Sequence, residues 1–189
     1  MFNLKQKIKN RIVNIIINTI QNLDSKNKAK LFLSLKSSYV QSRQNTFREK
    51  YTIDSQFRFN GDDILFYGNG KIICGKNSYI GNLSTVQAAD GHIVSIGDNC
   101  SISHNVRMYT TTNESNQDLN TDSVKLKRNG DIVINDGVWI GSNVFINPGV
   151  IIGENAIVGS NSVVTKNIEP YSIYGGVPAK LIKYKNYSK

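Results

Sequence analysis

The sequence predicts a mainly β protein, a stack of short parallel strands wound into coils, with an α-helical extension at its N-terminus and one long loop excursion. Three observations predict it. From Gly61 onward, Ile and Val recur at a spacing of six residues. Gly and Asn, which tolerate the left-handed backbone of a sharp corner, fill the places between them. Residues 1 to 48 instead carry apolar positions at mixed spacings of three and four, the helical period.

The extension comes first. Leu4, Ile8, Ile12, Ile15, Ile16 and Leu23 lead to the polar break DSKNK, and Leu31, Leu33 and Leu35 follow it. The pattern predicts one amphipathic helix or two, either packed on protein or lying on an anionic membrane with its basic face wet. Lys5, Lys7, Lys9, Arg11 and Asn18 interrupt every apolar run, so no membrane span is expected. No small-residue cleavage site is evident, and a cytoplasmic protein is the expectation.

The second region, 49 to 189, holds the repeats. Its hexads are Ile73-Cys-Gly-Lys-Asn-Ser78, Ile80-Gly-Asn-Leu-Ser-Thr85, Ile96-Gly-Asp-Asn-Cys-Ser101 and Ile102-Ser-His-Asn-Val-Arg107, then five consecutive ones from Ile134 to Val163. In each, the first residue is aliphatic and points into the stack, and the fifth is small enough to share that interior. One hexad is a strand plus a corner, and successive coils pair as parallel strands. The repeats are broken at 109 to 131 by TTTNESNQDLNTDSVKLKRNG, too long for a corner and therefore expected to be functional. Cys74 and Cys100 sit in apolar repeat segments and read as small buried residues.

The run GVWIGSNVFINPGVIIGENAIVGSNSVVTKNIEPYSIYGGVPAKLI, within Ile134 to Ile182, resembles the hexapeptide-repeat acyltransferases. It is most similar to the galactoside, maltose and xenobiotic O-acetyltransferases and their relatives that decorate bacterial polysaccharides. The resemblance spans about residues 61 to 184 and leaves the first 48 without a counterpart. It implies a left-handed parallel β-helix of triangular section, whereas general crossover rules would favour a right-handed connection. It also implies a homotrimer with active sites between subunits and acetyl-CoA along the outside of the prism.

Acetyl transfer to a hydroxyl needs a base for its proton and a donor for the oxyanion. His92 and His104 are the two histidines. Aligning the family's TLSVTGH segment with Arg107 to Asn113 puts Asn113 where the catalytic histidine stands, and an amide cannot accept that proton. Lipid A acyltransferases and related sugar N-acetyltransferases carry their base in Ile-x-His-Asp/Asn-Cys/Val, which Ile102-Ser103-His104-Asn105-Val106 matches. His104 is therefore the expected base, a solvated corner histidine being the alternative. His92 follows Asp90-Gly91 in a polar turn and reads as a surface residue, or with Asp90 as a contact for the acceptor. Two histidines cannot build a three-histidine metal site in one chain, and no metal is expected.

For the cofactor, the resemblance assigns Ser142, Ser160, Thr165 and Lys166 to the pantetheine groove, and Lys166, Lys180 and Lys183 to the phosphates. The galactoside enzymes have arginine at the last two positions; lysine keeps the charge without the planar fork. Trp139 either lines the acyl and acceptor site or packs at a coil edge, and Tyr109 either meets the acceptor or anchors the excursion. The formal net charge of +9 suits phosphates, anionic lipid or nucleic acid alike. The aromatic residues do not alternate with basic ones as a nucleic-acid stacking platform requires.

The expectation is thus an acetyl-CoA-dependent O-acetyltransferase. It would act on a sugar hydroxyl of a bacterial polysaccharide or its lipid- or nucleotide-linked precursor, by direct transfer without metal. Peripheral membrane contact through the basic N-terminal helix is part of it. The alternatives are an N-acetyltransferase of a nucleotide-linked amino sugar, a xenobiotic acetyltransferase, and a non-catalytic trimeric scaffold.

Overall fold

A six-residue repeat closes into a coil only if the chain turns sharply once per repeat, and the backbone does this at the fourth place of each hexad. Asn77, Leu83, Asn99, Asn105, Gly137, Asn143, Gly149, Asn155, Asn161 and Tyr171 all have positive φ there. The computed structural model describes residues 2–120 and 124–186; Phe2, Asn3, Leu4, Lys5, Lys7 and Ile8 are described by backbone alone, and residues 121–123 of the excursion lie outside the described residues.

The chain divides into two compact units, residues 1–43 and 44–189. The first is helical. α1 (Phe2–Gln21) ends before the DSKNK break, and α2 (Ser25–Lys50) begins within it. The break is a helix start, because the Asp24 carboxylate accepts the Asn27 N–H at 2.9 Å and satisfies a first-turn donor. The last turn of α2 belongs to the second unit, earlier than the 48/49 boundary suggested by composition. Its Phe47 is buried against Phe59 and Phe66, with ring centroids 5.9 and 5.4 Å away. Arg48 donates to the carbonyls of Asp54 and Phe57. This turn covers the first coil and its otherwise open strand edge.

The second unit is a parallel β-helix with three faces. Coil one comprises β1 (Thr52–Ile53), β2 (Arg58–Asn60) and β3 (Leu65–Tyr67); coil two, β4 (Lys71–Cys74), β5 (Tyr79–Gly81) and β6 (Thr85–Gln87). Coil three comprises β7 (Ile93–Ile96), β8 (Ser101–Ile102) and β9 (Arg107–Tyr109). A hairpin, β10 (Thr111–Asn113) and β11 (Lys127–Asn129), stands out before coil four, which is β12 (Ile132–Ile134), β13 (Trp139–Ile140) and β14 (Phe145–Ile146). Coil five is β15 (Ile151–Ile152), β16 (Ile157–Val158) and β17 (Val163–Val164). β18 (Ser172–Gly175) and β19 (Lys180–Tyr184) end the stack as an antiparallel pair on the second face.

Strand register places like on like. Ile96 lies between Cys74 and Ile134 on the first face, Ile102 between Ile80 and Ile140 on the second, and Met108 between Val86 and Ile146 on the third. All are buried. Each aliphatic removed from water contributes about 1.5–3 kcal/mol. At the fifth place, Ser78 and Ser84 are buried and tie neighbouring coils: Ser78 donates to the Gly97 carbonyl at 2.7 Å and accepts the Cys100 N–H at 2.8 Å.

Two details correct the sequence reading. The hexad assigned to Ile73 starts one residue later: Ile73 is 36% exposed, while Cys74 is 2% exposed and in register with Ile96. The excursion is shorter than 109 to 131, since Tyr109 completes β9 and Gly130 N–H closes the hairpin neck on the Thr110 carbonyl at 3.0 Å.

Leu83 adopts φ 62° with its side chain 54% exposed, so it bears the left-handed penalty without contributing to the core. Leu83→Asn is expected to stabilise the protein by about 1 kcal/mol, raising Tm by about 2–4 °C in calorimetry. Burial pushes the Cys74 thiol well above the ordinary thiol range and also raises that of Cys100. Neither is expected to react with a chromogenic disulfide reagent until denaturant is added; rapid labelling of the native protein would contradict the buried placement.

Candidate functional site

The residues singled out by sequence collect on two different corners of the prism. The corner between the second and third faces carries the third-place residues of consecutive coils, His104, Ser142 and Ser160. The Asn143 N–H donates to the His104 carbonyl at 3.0 Å, and the Asn161 N–H to the Ser142 carbonyl at 2.9 Å. Beside them runs an amide ladder, in which Asn105 donates to Asn143 and Asn143 to Asn161, each at 2.9 Å. Ser142 shares a 2.7 Å hydrogen bond with Ser103. This corner is polar, its side chains linked from coil to coil by these hydrogen bonds.

His104 is exposed, and its Nδ1 accepts the Asn82 N–H at 3.0 Å. A neutral ring so held keeps its proton on Nε2 and presents a donor there. That tautomer cannot accept a proton through Nε2, which argues against the base role expected of His104. Gly81 makes the contact possible, since a Cβ on it would come within 2.8 Å of His104 Nδ1.

The corner between the third and first faces carries Asp90 and His92. Ala89 to His92 form a turn closed by the His92 N–H on the Ala89 carbonyl at 3.0 Å, with Gly91 at φ 74°. Buried polar groups hold its base: Thr110 Oγ1 accepts the Ala89 N–H at 2.7 Å, and the Gln87 amide oxygen accepts the Thr110 N–H at 3.1 Å. His92 Nδ1 lies 3.0 Å from Asp131 Oδ1, and the same oxygen accepts the Ile93 N–H at 3.0 Å. A cavity of about 320 Å³ opens here, bordered by Asn69, Lys71, Asp90, His92 and Ile93. The Ile93 N–H, and after it the His92 ring, hold the Asp131 carboxyl below the usual carboxylate range.

The remaining candidates are dispersed. Asn113 is exposed in the hairpin, where its side-chain oxygen accepts Lys127 Nζ at 2.6 Å. Trp139 is 54% exposed on the second face, in register with Ile157. Tyr109 packs against Phe145 with the rings tilted at 41° and centroids 5.5 Å apart. Thr165 and Lys166 follow β17 on the third face, whereas Lys180 and Lys183 lie on β19 of the second. Lys183 borders a cavity of about 650 Å³ with Ile157, Ile173 and Tyr184. One chain thus does not gather the three lysines. Among the described residues, no group of three or more His, Cys, Asp or Glu is arranged to hold a metal ion, and no helix is long and apolar enough to cross a membrane.

Sequence reasoning missed Asp131 and Lys71. A partial signal existed: Asp131 stands three residues before the first-place Ile134 as Ile93 stands before Ile96, which puts it beside the residue that follows His92. The intervening hairpin hides that equivalence.

Residues 131–166 match the family model described as bacterial transferase hexapeptide (six repeats). The chain is 34% identical over 155 residues to a galactoside O-acetyltransferase of Escherichia coli K12, covering 79% of this chain and 71% of that protein. It is similar in structure to a hexapeptide-repeat acetyltransferase of Vibrio cholerae solved with acetyl coenzyme A, with TM-score 0.65, 26% identity, and 82% and 85% of the two chains covered. It is also similar to a galactoside acetyltransferase in complex with coenzyme A, with TM-score 0.62, 32% identity, and 78% and 72% covered.

Because the Asp131 carboxyl is held low in the folded protein, the stability it confers is present above the ordinary carboxylate pKa and disappears as pH falls through the lowered value. Asp131→Asn is therefore expected to lower the urea midpoint at pH 7 and to match the wild type once the pH has fallen below that lowered value. An equal loss at both pH values would show that the carboxylate's charge is irrelevant.

Proposed function

This chain belongs to the hexapeptide-repeat acyltransferases, built on a left-handed β-helix, and we propose that it is an acetyl-CoA-dependent O-acetyltransferase acting on a sugar hydroxyl of a bacterial polysaccharide or its precursor. The observation that carries this reading is the column His104, Ser142, Ser160 on one corner, continuous from coil three to coil five. A thioester donor with an extended amide-bearing arm fits such a straight polar edge, whose serines and backbone offer hydrogen bonds at each coil. Identity to a galactoside O-acetyltransferase along most of both chains favours a sugar hydroxyl as acceptor.

The donor lies along this corner with its thioester end at His104. There the Nε2–H of His104 hydrogen-bonds to the thioester carbonyl oxygen and stabilises the oxyanion as it forms. Its phosphates meet Lys166, Lys180 and Lys183, which a homotrimer brings together across a subunit boundary. Ser142 and Ser160 hold the pantetheine amides, Thr165 extends that groove, and Trp139, exposed on the adjoining face, borders the acyl group.

The test offers acetyl-CoA with matched hydroxyl and amino sugars. Alkali-labile ester product is expected; amide product alone would move the protein to the N-acetyltransferases, and absence of acetyl-CoA binding in calorimetry would leave only a scaffold. His104→Gln is expected to lower kcat about 10²–10³-fold, the scale of a lost oxyanion donor. Unchanged kcat would remove His104 from the reacting centre.

A further inference from the structure

We infer that His92 is the general base of this reaction and that Asp131 is its positioning residue, so that the imidazole expected at position 113 is supplied instead from the same corner one coil earlier. The inference rests on the O-acetyltransferase reading above. The two histidines are held in opposite ways. His104 gives its Nδ1 to a backbone N–H and keeps a proton on Nε2. His92 has a carboxylate oxygen 3.0 Å from Nδ1, so the proton sits on Nδ1 and the lone pair of Nε2 is free to accept one.

Asp131 is itself fixed, because the oxygen facing His92 also receives the Ile93 N–H. The ring stands on a turn anchored from beneath by Thr110 and Gln87, so its place relative to coil three is set. It borders a cavity of about 320 Å³ that also offers the side chains of Asn69, Lys71 and Asp90, hydrogen-bonding groups suited to a polyhydroxyl acceptor.

The transfer balances without a further reactant. As the acceptor oxygen attacks the thioester carbonyl carbon, its proton passes to His92 Nε2. The C–S bond breaks, and the coenzyme A sulfur leaves with that proton. The products are the acetyl ester and the free thiol. His92 and His104 lie on different corners of the chain, so a reacting centre that uses both draws one ring from each of two copies.

The experiment compares wild type, His92→Gln, Asp131→Asn and His104→Gln, each shown by circular dichroism to be fully folded at the assay temperature. His92→Gln is expected to lower kcat about 10²–10⁴-fold while the acetyl-CoA Kd is unchanged. In ¹⁵N spectra of the wild type at pH 8, His92 is expected to carry its proton on Nδ1, and Asp131→Asn to shift it toward Nε2 with a smaller fall in kcat. Mixed trimers of His92→Gln and His104→Gln chains are expected to recover about a quarter of wild-type activity, since two independently drawn copies must each supply an intact ring. Wild-type kcat in His92→Gln, or a His92 proton on Nε2, overturns the assignment; absence of recovery in mixed trimers overturns the sharing of the site. Failure of the wild type to acetylate any hydroxyl would instead sink the reading on which this one rests.

Discussion

A residue with left-handed backbone at the fourth place of each hexad turns the chain from one face to the next, and the rest of the molecule depends on that turn. It sets every first-place aliphatic above its counterpart in the neighbouring coil, as Ile102 stands between Ile80 and Ile140. It also puts every third-place side chain on the outside of a corner, stacked coil upon coil. A polar column such as His104, Ser142 and Ser160 is therefore a by-product of the same geometry that builds the core. Asparagine serves twice here, tolerating the backbone conformation and lending its amide to the ladder through Asn105, Asn143 and Asn161.

The corners differ in what the chain hangs on them. The one between second and third faces is uninterrupted, suited to a long ligand lying parallel to the stack. The one between third and first faces is irregular, with the Ala89 to His92 turn, the hairpin and the cavity bordered by Lys71 and His92. An extended donor and a compact acceptor thus find differently shaped edges. The hydrogen-bond partner of each ring decides its chemistry: a backbone donor makes His104 a donor at its outer nitrogen, and a carboxylate makes His92 an acceptor.

Most of the coil stack was legible in the sequence because its period and its corner residues both derive from one geometric rule. From Ile134 to Val163, each predicted first place is buried. Legibility fell at Ile73, where two adjacent isoleucines and a cysteine share one strand and only pairing with Ile96 reveals which points inward. The site was harder to read. His104, Ser142 and Ser160 stand at equal places in their hexads and align on paper. Asp131 falls level with Ile93, the residue after His92, but the residues between them form a hairpin, and no periodicity spans that gap. Which nitrogen of an imidazole is engaged depends on Asn82 and Asp131, each far from its histidine along the chain.

The neck of the hairpin, where Gly130 meets Thr110, has one more implication. Coil three ends and coil four begins at neighbouring points joined by that contact, so the segment beyond it can lengthen, shorten or be exchanged without altering the pitch of the stack. The scaffold and the element that reaches from it are mechanically uncoupled. A lineage can therefore retune what its members recognise while the coils beneath stay as they are.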